Sequence, residues 1–125
     1  MTNTKNAINW FEIPVADMER AVRFYEAVFA TKLHREVFGG HDHAIFTRDE
    51  PAVAGALVKS AELTPSAAGA RIYLDTRGEL DACLARVPAA GGAVVVPKMD
   101  IGDPGWIAIV RDTEGNAVGL HQPRA

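Results

Sequence analysis

Ile8-Asn9-Trp10-Phe11-Glu12-Ile13-Pro14-Val15, then Asp17, then a run through Phe29 with apolar residues at helical spacing, decides the fold, because the same plan recurs. The second copy reads Arg71-Ile72-Tyr73-Leu74-Asp75, then Glu79, then a shorter helical run through Val87. Each copy is a short apolar strand, an acidic residue and an amphipathic helix, followed by more β-type sequence. A supersecondary unit used twice cannot bury its apolar face alone, so the function is expected where the copies meet.

In the first copy Met18, Ala21, Val22, Tyr25, Val28 and Phe29 recur at helical spacing, opposite Glu19, Arg20, Arg23 and Glu26. Asp17 is placed to cap this helix, since its carboxylate can accept from unpaired first-turn amides. Strands are expected over 32–37 and 43–47, around the turn at Gly39-Gly40, and over 53–59. Residues 60–69, with Thr64-Pro65-Ser66 and Ala67-Ala68-Gly69, suit a linker. In the second copy a helix from about Glu79 to Val87 places Leu80, Cys83, Leu84 and Val87 on one face and stops at Pro88 and Gly91-Gly92. Strands follow over 93–96, 106–111 and 117–121, the last two joined by the turn Asp112-Thr113-Glu114-Gly115-Asn116. Lys98 to Gly105 reads as a loop able to cover a cleft mouth, or equally as a connecting turn. The chain is therefore expected to be one α+β domain of tandem βαβββ units, over about residues 7–59 and 70–122.

With 125 residues the chain has room for one domain and no accessory one. Its 48% hydrophobic and 23% charged residues are those of a soluble protein, and its apolar runs are too short to cross a bilayer. The start, MTNTKN, lacks the basic and apolar regions of a secretory signal, so a cytoplasmic location is expected. The single Cys83 excludes an internal disulfide and suits a reducing compartment. A net charge of −3 without a Lys/Arg cluster offers no footprint for nucleic acid or an anionic membrane. A small molecule or another protein chain is the expected partner.

Trp10-Phe11-Glu12-Ile13-Pro14-Val15-x-Asp17-Met18-Glu19-Arg20-Ala21 with Phe24-Tyr25, Gly55-Ala56-Leu57-Val58 and Tyr73-Leu74 form a longer pattern. It continues through Leu80-Asp81-Ala82, Ala90-Gly91-Gly92, Val96-Pro97-Lys98 and Asp112-Thr113-Glu114-Gly115-Asn116, to Gly119-Leu120-His121. The pattern resembles the vicinal-oxygen-chelate (VOC) superfamily of glyoxalase I, bleomycin-resistance proteins, fosfomycin-resistance proteins and extradiol dioxygenases. Within it the chain is most similar to the bacterial group described as predicted enzymes related to lactoylglutathione lyase. The resemblance implies that the two units form a U-shaped cleft and that the protein is a homodimer. It also implies divalent-metal ligands on the first and last strands of each unit, holding two substrate oxygens.

Carried over position by position, those ligands fall on Trp10, eight residues before Met18, on Gly55 or Ala56, on Arg71 or Ile72, and on Gly119. The ambiguity in the second unit arises because Thr76-Arg77-Gly78-Glu79 is one residue longer than the usual connection. None of these side chains offers imidazole or carboxylate. No metal or other cofactor is therefore expected at the usual positions, nor standard glyoxalase I chemistry. A displaced centre remains open, because strand alternation puts Glu12 on the face of Trp10 and His121 on that of Gly119. So does the plainer reading of Glu12 in a satisfied polar network and His121 in solvent.

As catalytic groups, Glu12 would serve as general base and His121 as a second acid or base. Trp10, Tyr73 and Trp106 would form an aromatic floor for a flat ligand, or pack as core residues. Arg71 would meet a ligand carboxylate or phosphate, or else balance Glu12 or Asp75. His41-Asp42-His43 has a metal-like composition, but its flanking glycines favour a polar hairpin loop at the cleft edge. His34 reads as a strand-surface residue and Cys83 as a small buried one. The function classes are an enzyme acting on a small oxygenated metabolite, a protein that sequesters an aromatic or cationic drug, and an interaction module with a closed cleft.

Overall fold

The computed structural model describes residues 7–49 and 52–124. The first motif folds as β1 (Trp10–Pro14) and α1 (Met18–Phe29). Asp17 keeps extended backbone and accepts from the Arg20 amide at 3.1 Å, and Ala30 closes the helix with left-handed geometry. Then come β2 (His34–Phe38), β3 (His41–Ile45) and β4 (Ala54–Lys59). The second unit repeats the order as β5 (Tyr73–Asp75), α2 (Leu80–Arg86), β6 (Ala93–Asp100), β7 (Trp106–Arg111) and β8 (Ala117–Gln122). No helix among the described residues is long and apolar enough to cross a membrane.

Each unit builds one sheet, in the orders β1-β4-β3-β2 and β5-β8-β7-β6. First and last strands pair parallel in both, as β1 with β4 and β5 with β8, and the remaining pairs are antiparallel. The repeat read in the sequence is thus a repeat of topology. One core joins the units, with Ile13 and Leu57 from the first sheet, Leu74, Val118 and Leu120 from the second, and the apolar faces of both helices. Each sheet therefore has a helix face in this core and an open face turned away from it.

Three expectations change. β1 begins at Trp10, because Ile8 is exposed and adds no buried contact to the strand. β6 runs on through Asp100, so only residues 101–105 remain of the expected loop; register shifts on either side of Val96 let this edge strand continue past Pro97. His41-Asp42-His43 is strand rather than loop, the turn being confined to Gly39 and Gly40, both at positive φ.

The turn after β7 ties the units together. Asp112 accepts from the amides of Glu114 and Asn116, from Asn116 Nδ2 and from the buried Tyr25 hydroxyl at 2.7 Å. Asn116 Nδ2 also donates to the Pro14 carbonyl, and its Oδ1 accepts from the Ser66 amide. Glu114 reaches the start of α1, accepting from the amides of Ala16 and Asp17 and from Arg20. Burial pushes the Glu114 carboxyl up, but the Arg20 guanidinium and those amides outweigh it and hold its pKa down to about 2. Burial, and then the Asp112 charge, push the Tyr25 phenol well above its ordinary value. Cys83 is a free, buried thiol whose pKa burial pushes up.

Candidate functional site

Alternation along β1 turns Ile13 into the core and sends Trp10 and Glu12 to the open face. Ala56 lies opposite Glu12 on β4, so it shares that face, whereas Gly55 sits on the helix face beneath the Phe11 ring. On β3 the buried Ala44 faces the core and His43 the open side, and on β2 Phe38 faces the open side as well. Four side chains gather there. The Trp10 indole donates to Glu12 Oε2 at 3.1 Å. Phe38 stacks on the His43 imidazole with ring centroids 3.6 Å apart, and Trp10 meets Phe38 edge-on at 6.5 Å.

His43 is only 3% exposed. Its Nδ1 lies 2.9 Å from the His41 carbonyl, which can only accept, so Nδ1 carries a proton. Nε2 points toward Glu12 Oε2 at 3.9 Å, beyond hydrogen-bond reach. The sequence reading missed His43 because it extended the Gly39-Gly40 loop through residue 42. The alternation of His43, Ala44 and Ile45 was the signal that would have found it.

The open face of the second sheet is built differently. Tyr73 and Gly119 are register partners, and a Cβ on Gly119 would run into the Tyr73 ring, so the ring lies flat over the glycine. His121, half-buried on the same face, donates from Nε2 to the Pro104 carbonyl at 2.7 Å. Its own carbonyl accepts from the amide and hydroxyl of Thr76. No hydrogen bond or ion pair among the described residues joins Glu12 to His121. Arg71 precedes β5, is exposed, and pairs with neither Glu12 nor Asp75. Trp106 is not with Trp10 and Tyr73: it is on the helix face, partly packed on the core, with Lys98 Nζ 5.3 Å and Arg124 Cζ 4.2 Å from its ring. An aromatic floor of all three does not form, because alternation from the buried Ala108 sends Trp106 to that face.

Of the carried-over positions Trp10, Ala56 and Gly119 lie on the open faces, Gly55 lies on the helix face, and Arg71 and Ile72 precede β5. Among the described residues no three His, Cys, Asp or Glu side chains are grouped to hold a metal ion. His34 is exposed on β2 and bonds Glu36 at 3.0 Å. A cavity of about 280 Å³ opens elsewhere, at the seam between the units, with Phe11, Phe29, Phe46 and Leu74 among its walls. Phe11 and Leu74 belong to the helix faces, so this space is separate from the open-face cluster.

The model of the Glyoxalase/Bleomycin resistance protein/Dioxygenase superfamily matches residues 7–120. The chain belongs to this superfamily. A glyoxalase/bleomycin resistance protein from Albidiferax ferrireducens T118 shares the superfamily fold, with a TM-score of 0.72, 16% identity, and 95% of this chain and 100% of that one covered. TnmS3, an antibiotic binding protein from Streptomyces sp. CB03234, superposes with a TM-score of 0.64 at 22% identity, over 98% of this chain and 100% of its own. A curated superfamily relative, "Putative glyoxylase CFP32" of Mycobacterium tuberculosis, is 30% identical over 119 residues. That alignment takes in 91% of this chain but 44% of the mycobacterial protein, so the chain spans about half the length of the curated relatives it matches.

Proposed function

We propose that this superfamily member binds a small molecule against the open faces of its sheets, as a cytoplasmic homodimer, and without a metal at the positions its relatives use. The observation that supports this reading is the set of side chains at those positions. Trp10, Ala56, Arg71 and Gly119 present an indole, a methyl group, a guanidinium and a hydrogen, none of which donates a lone pair to a divalent ion. The residues present do not fit a divalent metal. Retention of a ligand is favoured over turnover, because the Glu12 carboxylate is engaged by Trp10 and makes no contact with His121. The antibiotic binding described for TnmS3 agrees with sequestration on this fold. Exposed Trp10, Phe38, Tyr73 and Met99 leave apolar surface on the open faces for a second copy to cover. The free Cys83 suits the cytoplasm.

A second reading, an enzyme related to lactoylglutathione lyase, has Glu12 as base and His121 as second acid or base. The fixed His121 ring favours it, because the hydrogen bond to Pro104 leaves Nδ1 as an acceptor. An equilibrium screen of metabolites and drugs with product analysis separates the two. Stoichiometric ligand retention without product is the expected result, and turnover lost in Glu12→Gln and His121→Ala would replace it with the enzyme reading. One equivalent of tightly held transition metal in untagged protein would overturn the metal-free proposal, and a monomer by sedimentation would overturn the dimer.

A further inference from the structure

We infer that Glu12 and His43 form a recognition site for an organic ammonium group, an inference that rests on the reading of the open face as the ligand surface. Both groups are acceptors. Glu12 is a carboxylate, and a neutral imidazole that donates from Nδ1 to the His41 carbonyl carries its lone pair on Nε2. Oε2 and Nε2 stand 3.9 Å apart on a ring that is 3% exposed, so neither satisfies the other. A donor placed between them satisfies both.

The spacing selects the kind of donor. With metal bonds of about 2.1 Å, two tetrahedral ligands sit about 3.4 Å apart, closer than these two atoms. With hydrogen bonds of about 2.8 Å, one donor atom spans the gap at an angle of about 90°. The surroundings select its charge. The alternating open-face positions of β1 to β4 hold two glutamates, Glu12 and Glu36, three histidines, His34, His41 and His43, and no lysine or arginine. Arg35 and Lys59 alternate to the helix face, where Arg35 meets Glu19 of α1. Trp10 and Phe38 wall the pair with aromatic rings, which attract a cation and exclude water from its organic part. An anion meets two carboxylates and no lysine or arginine here, and a neutral hydroxyl can bond the carboxylate but lacks the charge that both the carboxylate and the rings attract.

The test uses benzylammonium, benzyl alcohol and benzoate as probes of equal shape, titrated into 15N-labelled full-length protein. The chain has two indole N–H groups: that of Trp10 bonds Glu12, and that of Trp106, on the helix face, is an internal control. Benzylammonium is expected to move the Trp10 signal saturably and leave Trp106 in place, with benzyl alcohol about ten-fold weaker. Glu12→Gln, at an exposed position, is expected to keep the parent's melting temperature and abolish the preference for ammonium. In the parent protein, long-range 15N spectra of the His43 ring are expected to show Nδ1 protonated and Nε2 moving on saturation with benzylammonium but not with benzoate. Equal affinity for the alcohol, a preference that survives Glu12→Gln, or an unmoved Nε2 would overturn the inference. If another screened ligand then still shifts open-face residues, only the ammonium assignment fails. If no ligand perturbs an open face, the binding reading fails with it.

Discussion

In the first sheet the glycine of the last strand, Gly55, lies under Phe11 on the helix face, whereas in the second Gly119 lies under Tyr73 on the open face. Both sheets thus use an aromatic ring on the first strand to cover a glycine on the last, one residue out of step. The offset decides what each sheet can offer a ligand. With its ring turned inward, the first sheet presents the exposed Glu12 and the buried His43, stacked on Phe38, on its open side. The second spends its open side on Tyr73 over Gly119. A duplicated unit can therefore change the chemistry of one half by moving a single aromatic residue along a strand.

The largest way to break this comparison is Gly55→Ala. Its Cβ would drive Phe11 into a ring cluster with Phe46 and Tyr25, so a loss of about 3 kcal/mol in chemical denaturation is expected. Removing the tie between the sheets comes next: Glu114→Ala leaves two amides and Arg20 without their acceptor and should cost about 2 kcal/mol. This contribution depends on pH. Because the folded pKa, about 2, lies below the ordinary glutamate value, the stabilisation is complete above that value and is lost as pH falls toward 2; acid unfolding of Glu114→Ala should lack this component. Gly119→Ala is expected to cost only about 1 kcal/mol, since Tyr73 is 44% exposed and can swing into solvent. A loss equal to that of Gly55→Ala would show that the two ring-over-glycine pairs are equivalent. Smallest is Tyr25→Phe, about 1 kcal/mol or less, because Asp112 keeps three other donors.

The duplicated architecture was legible in the sequence because helical spacing, turn residues and the acidic residue before each helix all point to one answer, although only Asp17 forms a cap. α1 and α2 fall within a residue or two of the expected bounds. The site was less legible, because facing requires a register, and register is set by pairing between strands far apart in the chain. Trp10 and Glu12 were placed correctly, since one buried neighbour, Ile13, fixes their side. Trp106 was left between the aromatic floor and the core, because a lone tryptophan at a strand start carries no sign of its face; it packs on the core. His41 and Asp42 were read as loop because two glycines nearby drew the turn outward, which left His43 at a strand start with no facing assigned, although the strand already begins at His41.

The parallel pairing of each first strand with its last has a consequence for how the chain is made. During synthesis β1 waits for β4, and the first sheet can be completed once Lys59 has emerged. Its core cannot close then, because Phe24 of α1 packs against Gly92 and Tyr25 bonds Asp112, both still to come. The half-made protein therefore presents a finished sheet whose helix is covered on the sheet side only, with Phe24 and Tyr25 still awaiting their partners from the second unit.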